Sequence, residues 1–475
     1  MLSAELISKA RRHLWWCSEL KASVEHSKFV SRRTWSRAHG HTFDRPNVIV
    51  LSVDSMACKH LSCYGYSRLT SPNMDKLAEA GVLFENVIAQ SNWTKPALAS
   101  LLTGLYPFVH KTDAQGETGD RVDVEVRNIA HVLDERFRTM AQELKDEGYA
   151  TAAFSNGGYA HSFFGFDRGF DHYENSAGGL KSCSYRLLQW ILDHSNQPFL
   201  AWIHAWDAHF PYMDRPPYNR KFVRRRASVR LDAFSRHLIN SGERKITEEE
   251  LEFLCGLYDG AISYVDMLIG KLVKELNRLE LSDNTVLVIS ADHGEAFMEH
   301  GYVEHTACLH SEVLRVPLIL VGPGVPRGRR IRSQVRSIDI MPTVLNLCGF
   351  PLQAKIQGVS LLPWITAEIK KDLIAASETE RGGGQIAVSN GRFKIIRKNA
   401  EKRTDIYDVR RDVDETIDIS KSCPGILEMM EFQLAAWQDE VAECANEYWS
   451  DSSTAESLEM KGEVVERLRA LGYVE

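Results

Sequence analysis

Apolar residues fall into two patterns that alternate along the chain. Short, nearly unbroken apolar runs occupy 47–54, 82–87, 149–154, 197–203, 284–291 and 315–322. Between them, apolar positions recur every three or four residues at 71–81, 97–102, 128–147, 248–279 and 338–347. The runs have the length and composition of buried parallel strands, and the spaced stretches those of amphipathic helices. This alternation predicts an α/β fold with a mainly parallel sheet flanked by helices. After about residue 361 the character changes. Residues 386–388, 393–397 and 405–407 are short strand candidates separated by turn residues, which predicts a small C-terminal antiparallel sheet packed with closing helices. There is no internal repeat and no low-complexity tract.

Polar residues with chemistry gather where the apolar runs stop. The run at 47–53 ends in Asp54, and the run at 284–291 ends in Asp292-His293. Open α/β sheets bind ligands at the carboxyl ends of their strands. A third segment, 90–107, places Thr94 just ahead of Pro96 and an apolar helical run that ends at Gly104. Proline just inside a helix start and glycine just past its end mark a helix here, with Thr94 near its N-terminus. Backbone N–H groups and the helix dipole favour an anion there. Thr94 is either a plain N-cap or a nucleophile toward a phosphate or sulfate ester. Two carboxylates, an imidazole and a hydroxyl suit one divalent cation with mixed oxygen and nitrogen ligands: Asp54, Thr94, Asp292 and His293. His209 and His305 add titratable groups, and Lys95 is a candidate for neutralising developing charge.

Composition narrows the class. The chain has 475 residues, 44% hydrophobic and 25% charged, which is ordinary for a large globular enzyme. A net charge of −7 carries no basic field for a nucleic acid polymer. No apolar run reaches the length of a membrane span, so no transmembrane segment is expected. Residues 1–45 hold nine basic and four acidic side chains without an apolar core, which reads as a basic extension rather than a secretory signal. Nine cysteines, an odd number without a CxxC pair, read as free thiols in a reducing, cytoplasmic compartment. Residues 215–236 form a basic loop with eight Arg or Lys side chains directly after His209. Arg224, Arg225 and Arg226 are its candidates for binding an anionic substrate, against the alternative of a solvated surface loop.

The motifs together resemble the sulfatase-like branch of the alkaline phosphatase superfamily, from about Asn47 to the C-terminus. Val53-Asp54-Ser55 with 61–66 (LSCYGY) resembles the family's first metal-binding segment, and 93–104 (WTKPALASLLTG) its nucleophile segment. Residues 165–173 (GFDRGFDHY), 206–212 (WDAHFPY), 290–295 (SADHGE) and 312–319 (EVLRVPLI) also match in family order. So do 339–343 (DIMPT), 405–408 (DIYD) and 467–473 (RLRALGY). The resemblance implies a sulfatase-like catalytic domain over 46–360, with a central mixed, mostly parallel sheet, and a C-terminal subdomain over 361–475.

The departures from the family point to a different ester. Sulfatases carry a cysteine or serine in a C/S-x-P-x-R motif, which is converted to formylglycine. Here the positions hold Thr94 and Leu98. The methyl on the threonine Cβ prevents oxidation to that aldehyde. An unmodified threonine is what the family's phosphodiesterases and phosphotransferases use. Ser55 stands in place of a second aspartate, and the remaining ligand set resembles the single Mn or Zn site of those members, with Ca or Mg as alternatives. Lys59 stands where relatives often carry an aspartate. The resemblance thus implies a metal-dependent phosphoester hydrolase or transferase acting on an anionic small molecule, sugar or lipid head group. The rivals are sulfate-ester hydrolysis and a non-catalytic binding protein that keeps the fold.

Overall fold

The computed structural model describes residues 45–113, 129–194, 197–224, 233–351, 355–450, 457–460 and 462–470. Of the basic extension, 1–45, only Arg45 falls among them; it donates to the Glu147 carbonyl at 2.6 Å. Eight strands form the central sheet. They are β1 Asn47–Val53, β2 Val82–Ile88, β3 Ala150–Ser155, β4 His172–Glu174, β5 Phe199–Ala205, β6 Thr285–Ala291, β7 Arg315–Val321 and β8 Arg329–Arg336. Their order is β8-β2-β7-β6-β1-β5-β3-β4. Every pairing is parallel except the two that β7 makes with β2 and β6, so the sheet is mixed and mostly parallel.

The apolar runs become strands because they are buried on both faces. Every residue of β1, β5 and β6 is buried. Each Val, Leu or Ile so buried contributes about 1.5–3 kcal/mol. One helical layer comprises α1 Pro72–Ala80, α4 Leu180–His194 and α5 Glu248–Arg278. The other comprises α2 Thr94–Thr103, α3 Met140–Asp146 and α6 Ile340–Leu347. α5 begins at a capping box: Thr247 accepts from the Glu250 N–H, and the Glu250 carboxylate accepts from the Thr247 N–H. Three acidic residues in its first turn complement the dipole. By length and composition α5 could cross a membrane, but 67% of its apolar window is buried inside the molecule, as in the core helix of a globular protein.

Two sequence expectations change. The helical spacing over 128–147 yields a strand, Ile129–His131, and only later α3. Asp134 ties back to Arg136, with Arg136 Nε to Asp134 Oδ1 at 2.9 Å, and the Thr139 capping box sets where the helix begins. The basic segment 215–236 is not wholly loop either: it contains a turn at Asn219–Lys221 and enters the helix Ala233–Asn240.

The C-terminal sheet has four antiparallel strands in chain order: β9 Ala375–Thr379, β10 Gln385–Ser389, β11 Phe393–Lys398 and β12 Arg403–Asp408. The long helix α7 Pro424–Tyr448 packs on β10 and β11. β9 docks on the segment that leads to Thr94. Ser377 Oγ donates to the Ala89 carbonyl at 2.6 Å, and the Glu378 N–H to the Gln90 carbonyl at 3.0 Å. A second seam lies at Glu415. Its carboxylate accepts from Lys394 Nζ at 2.9 and 3.0 Å, from His310 Nδ1 at 2.9 Å and from Ser311 Oγ.

Candidate active site

Register places the ligand candidates side by side. Val53 of β1 lies opposite Ala205 of β5 and Ala291 of β6, so Asp54 and Asp292 emerge together one residue beyond. The chain turns sharply after Asp54, with Ser55 in the left-handed region at φ 59°. That conformation costs a non-glycine residue about 1–2 kcal/mol. Tyr258 from α5 offsets it, donating to the Ser55 carbonyl at 2.5 Å and accepting from the Ala57 N–H at 2.9 Å. Ser55 in turn orients both carboxylates. Its hydroxyl donates to Asp54 Oδ1 at 3.0 Å, and its N–H to Asp292 Oδ1 at 3.2 Å.

His293 faces the same point. Its Nδ1–H donates to the Gly294 carbonyl at 3.0 Å, which leaves the lone pair on Nε2. Nε2 stands 3.5 Å from Asp54 Oδ1, 3.4 Å from Asp292 Oδ2 and 3.4 Å from Thr94 Oγ1. Thr94 is buried in the first turn of α2, whose far end closes at Gly104 with φ 71°. The structure thus brings together all four predicted ligands: Asp54, Thr94, Asp292 and His293. It also brings in His204, which the sequence reading passed over. His204 Nε2 lies 3.5 Å from Asp54 Oδ2, and Nδ1 lies 3.0 Å from Ser52 Oγ. Asp54, His204 and Asp292 form a buried group, found among the described residues, whose ligand atoms lie within 4.8 Å of one another. The signal available was an imidazole at the carboxyl end of the apolar run that becomes β5.

The electrostatics fit a cation at this point. Burial pushes Asp54 upward, but His209, His204 and His293 outweigh it and hold the carboxyl well below its usual range. Burial and the neighbouring Asp54 charge push Asp292 up to about 8. Its Oδ2 is buried and accepts no hydrogen bond. An imidazole lone pair aimed at two ionised carboxylate oxygens is repulsive, and a positive ion between them would relieve that repulsion. These residues would hold one divalent metal with oxygen and nitrogen donors.

His209 and His305 flank the cluster. The His305 ring centroid is 4.1 Å from that of His293 and 5.2 Å from that of His209. His209 stacks on Trp206 and its Nδ1–H donates to the Phe210 carbonyl at 2.5 Å. Burial lowers both histidines, His305 further because His293 and His209 crowd it. His305 Nδ1 is 3.4 Å from Glu295, a carboxyl raised by burial and by Glu304.

The remaining predicted residues lie differently. Lys95 bonds the His131 carbonyl at 3.0 Å, against the rings of Trp93 and Phe164, rather than any residue of the ligand cluster. Its burial pushes the ammonium down to about 7. Arg224 is exposed, while Arg225 and Arg226 lie outside the described residues. Two other arginines of that segment are already neutralised by carboxylates. Arg215 pairs with Asp207 at 3.1 Å, and Arg236 pairs with Glu304.

The chain is similar to known proteins. Residues 46–350 match the sulfatase family model, and 298–440 match the model of the N-sulphoglucosamine sulphohydrolase C-terminal region. A sulfatase of Formosa agariphila is 24% identical over 79% of this chain and 83% of its own. A delta 4,5-hexuronate-2-O-sulfatase of Bacteroides thetaiotaomicron is 22% identical over 86% and 91%. The fold matches a putative sulfatase structure from Bacteroides thetaiotaomicron, with a TM-score of 0.70 at 18% identity over 89% and 96%. It also matches a phosphonate monoester hydrolase of Agrobacterium radiobacter, with a TM-score of 0.69 at 20% identity over 84% and 96%. With a family model spanning most of the α/β core and the ligand residues converging at its strand ends, the chain belongs to the sulfatase family of enzymes that act on ester bonds.

Proposed function

We propose that the chain cleaves or transfers phosphate esters with Thr94 as the nucleophile. The observation that carries this reading is the Thr94 hydroxyl, 3.4 Å from His293 Nε2 at the N-terminus of α2. A threonine cannot become the aldehyde that sulfatases use. A bound divalent ion, Mn or Zn ahead of Ca or Mg given the imidazole donors, would lower the hydroxyl pKa and polarise the ester. In the proposed reaction Oγ1 bonds to phosphorus and the bond to the leaving oxygen breaks. The hydroxyl proton ends on the departing alcohol, and the imidazoles of His209 and His305 are suited to relay it or to hold the ester oxygens. Water or an acceptor alcohol then takes the phosphoryl group from Thr94. An anionic sugar or lipid-head-group ester is the proposed substrate class. Relatives named as sulfatases, one for a hexuronate, support the sugar and also carry a second reading, sulfate-ester hydrolysis.

One experiment separates the readings. Protein reconstituted with Mn, Zn, Mg or Ca is assayed on aryl phosphate, phosphodiester, phosphonate and sulfate. Phosphoester turnover that falls by orders of magnitude in Thr94→Ala, with label trapped on Thr94 in the wild type, is the expected result. Turnover of aryl sulfate alone, or unchanged phosphoester turnover in the variant, overturns it.

A further inference from the structure

The C-terminal subdomain sets a guanidinium against the nucleophile segment. Arg381 lies in the turn Arg381–Gly383 that joins β9 to β10. The turn is held in place by β9 docking on Ala89 and Gln90, and by the Glu380 N–H donating to Asp113 at 2.9 Å. The Arg381 guanidinium carbon stands 3.8 Å over the ring of Trp93, the residue immediately before Thr94. One terminal nitrogen donates to Tyr159 Oη at 3.4 Å, a long bond to a neutral partner. Nε is buried and has no hydrogen-bond partner. Among the described residues Arg381 pairs with no carboxylate, although Asp113 is close enough to feel its charge. That charge also acts on His293 and His305. Arg236, a second guanidinium near this site among the described residues, is committed to Glu304.

A half-buried guanidinium with an unmet N–H and no counter-ion is unusual, because buried charge is ordinarily paired. Its planar fork matches the oxygens of a tetrahedral oxyanion, and stacking on Trp93 fixes its plane. We propose that Arg381 binds an anionic oxygen of the substrate's ester group, so that a residue of the C-terminal subdomain completes the oxyanion site beside Thr94. The proposal rests on the reading of this cluster as an ester-cleaving site. It does not depend on whether the ester is phosphate or sulfate.

The test uses inorganic phosphate as probe on the full, metal-loaded chain, measured by calorimetry, with metal content and melting temperature as controls. Arg381→Gln should weaken phosphate binding about tenfold or more, the size expected for a lost charge-assisted hydrogen bond. Arg381→Lys should fall between, because it keeps the charge and loses the fork. In Arg381→Ala, millimolar guanidinium should restore phosphate affinity, which a merely structural role would not allow. Unchanged phosphate affinity in Arg381→Gln, or affinity that guanidinium fails to restore in Arg381→Ala, overturns the proposal. If Arg381→Gln melts early, the Arg381→Lys comparison decides. Because binding is read without turnover, absence of phosphoesterase activity would defeat the functional reading and leave this result standing.

Discussion

Asp292 and His204 differ from most buried polar residues in having work left undone. Asp292 Oδ2 accepts no hydrogen bond, and His204 Nε2 lies 3.5 Å from a second carboxylate. Both facts fit side chains that would hold a divalent ion. Asp292→Asn should therefore abolish stoichiometric metal, measured by atomic emission after reconstitution. His204→Ala should weaken metal affinity by about 10–100-fold, the scale reported for supporting partners of ligands. Undiminished affinity in both variants would remove the metal from this cluster. Much of the residue-scale site could be read from the chain, since Asp54, Thr94, Asp292 and His293 all mark the ends of periodic segments. His204 escaped because it lies inside an apolar run that continues in chain order to the more conspicuous His209. Arg381 gave no local signal at all. Its role depends on a docking of two segments nearly three hundred residues apart, which no periodicity encodes.

At the scale of elements, patterning located the strands that carry apolar runs and missed β4, β8 and β9, which carry none. β8 has polar and charged residues at its exposed positions, because it closes one edge of the sheet, and its alternation is interrupted. β9 reads AASET, with small residues that fit beneath the nucleophile segment but show no apolar face. The 128–147 stretch misled because its apolar spacing is helical while its capping signal sits at Thr139. The seam at Glu415 gives an element-scale prediction. Burial alone would raise this carboxyl, but Lys394, His310 and Ser311 together hold it down at about 2, against 4.5 for a free glutamate. A depressed folded pKa stabilises above the unfolded value and loses that stabilisation as the pH falls through the folded one. The shift corresponds to about 3 kcal/mol. The stability difference between wild type and Glu415→Gln, from denaturant unfolding, should narrow by about this much between about pH 5 and pH 2. A difference that stays constant over that range would show that the seam carries no linked proton.

For the whole molecule, eight described cysteines carry free thiols, five of them buried. We propose a reducing compartment on this ground and on the odd total. Thiol titration of denatured protein without reductant should approach nine, and a clearly lower count would point to disulfides. The mostly parallel sheet and the small antiparallel sheet beyond it followed from the patterns along the chain, whereas nothing in those patterns marks the reversal of β7. How the two bodies join did not, because the contacts between β9 and residues 89–90 involve main-chain atoms. That junction has a consequence for how the protein is made. A ribosome releases Asp54 and Thr94 about three hundred residues before Ser377, Glu378 and Arg381. Until then the segment bearing the hydroxyl lacks the strand that braces it. On the proposed reading, a nascent chain cannot act on esters until that strand has emerged and docked.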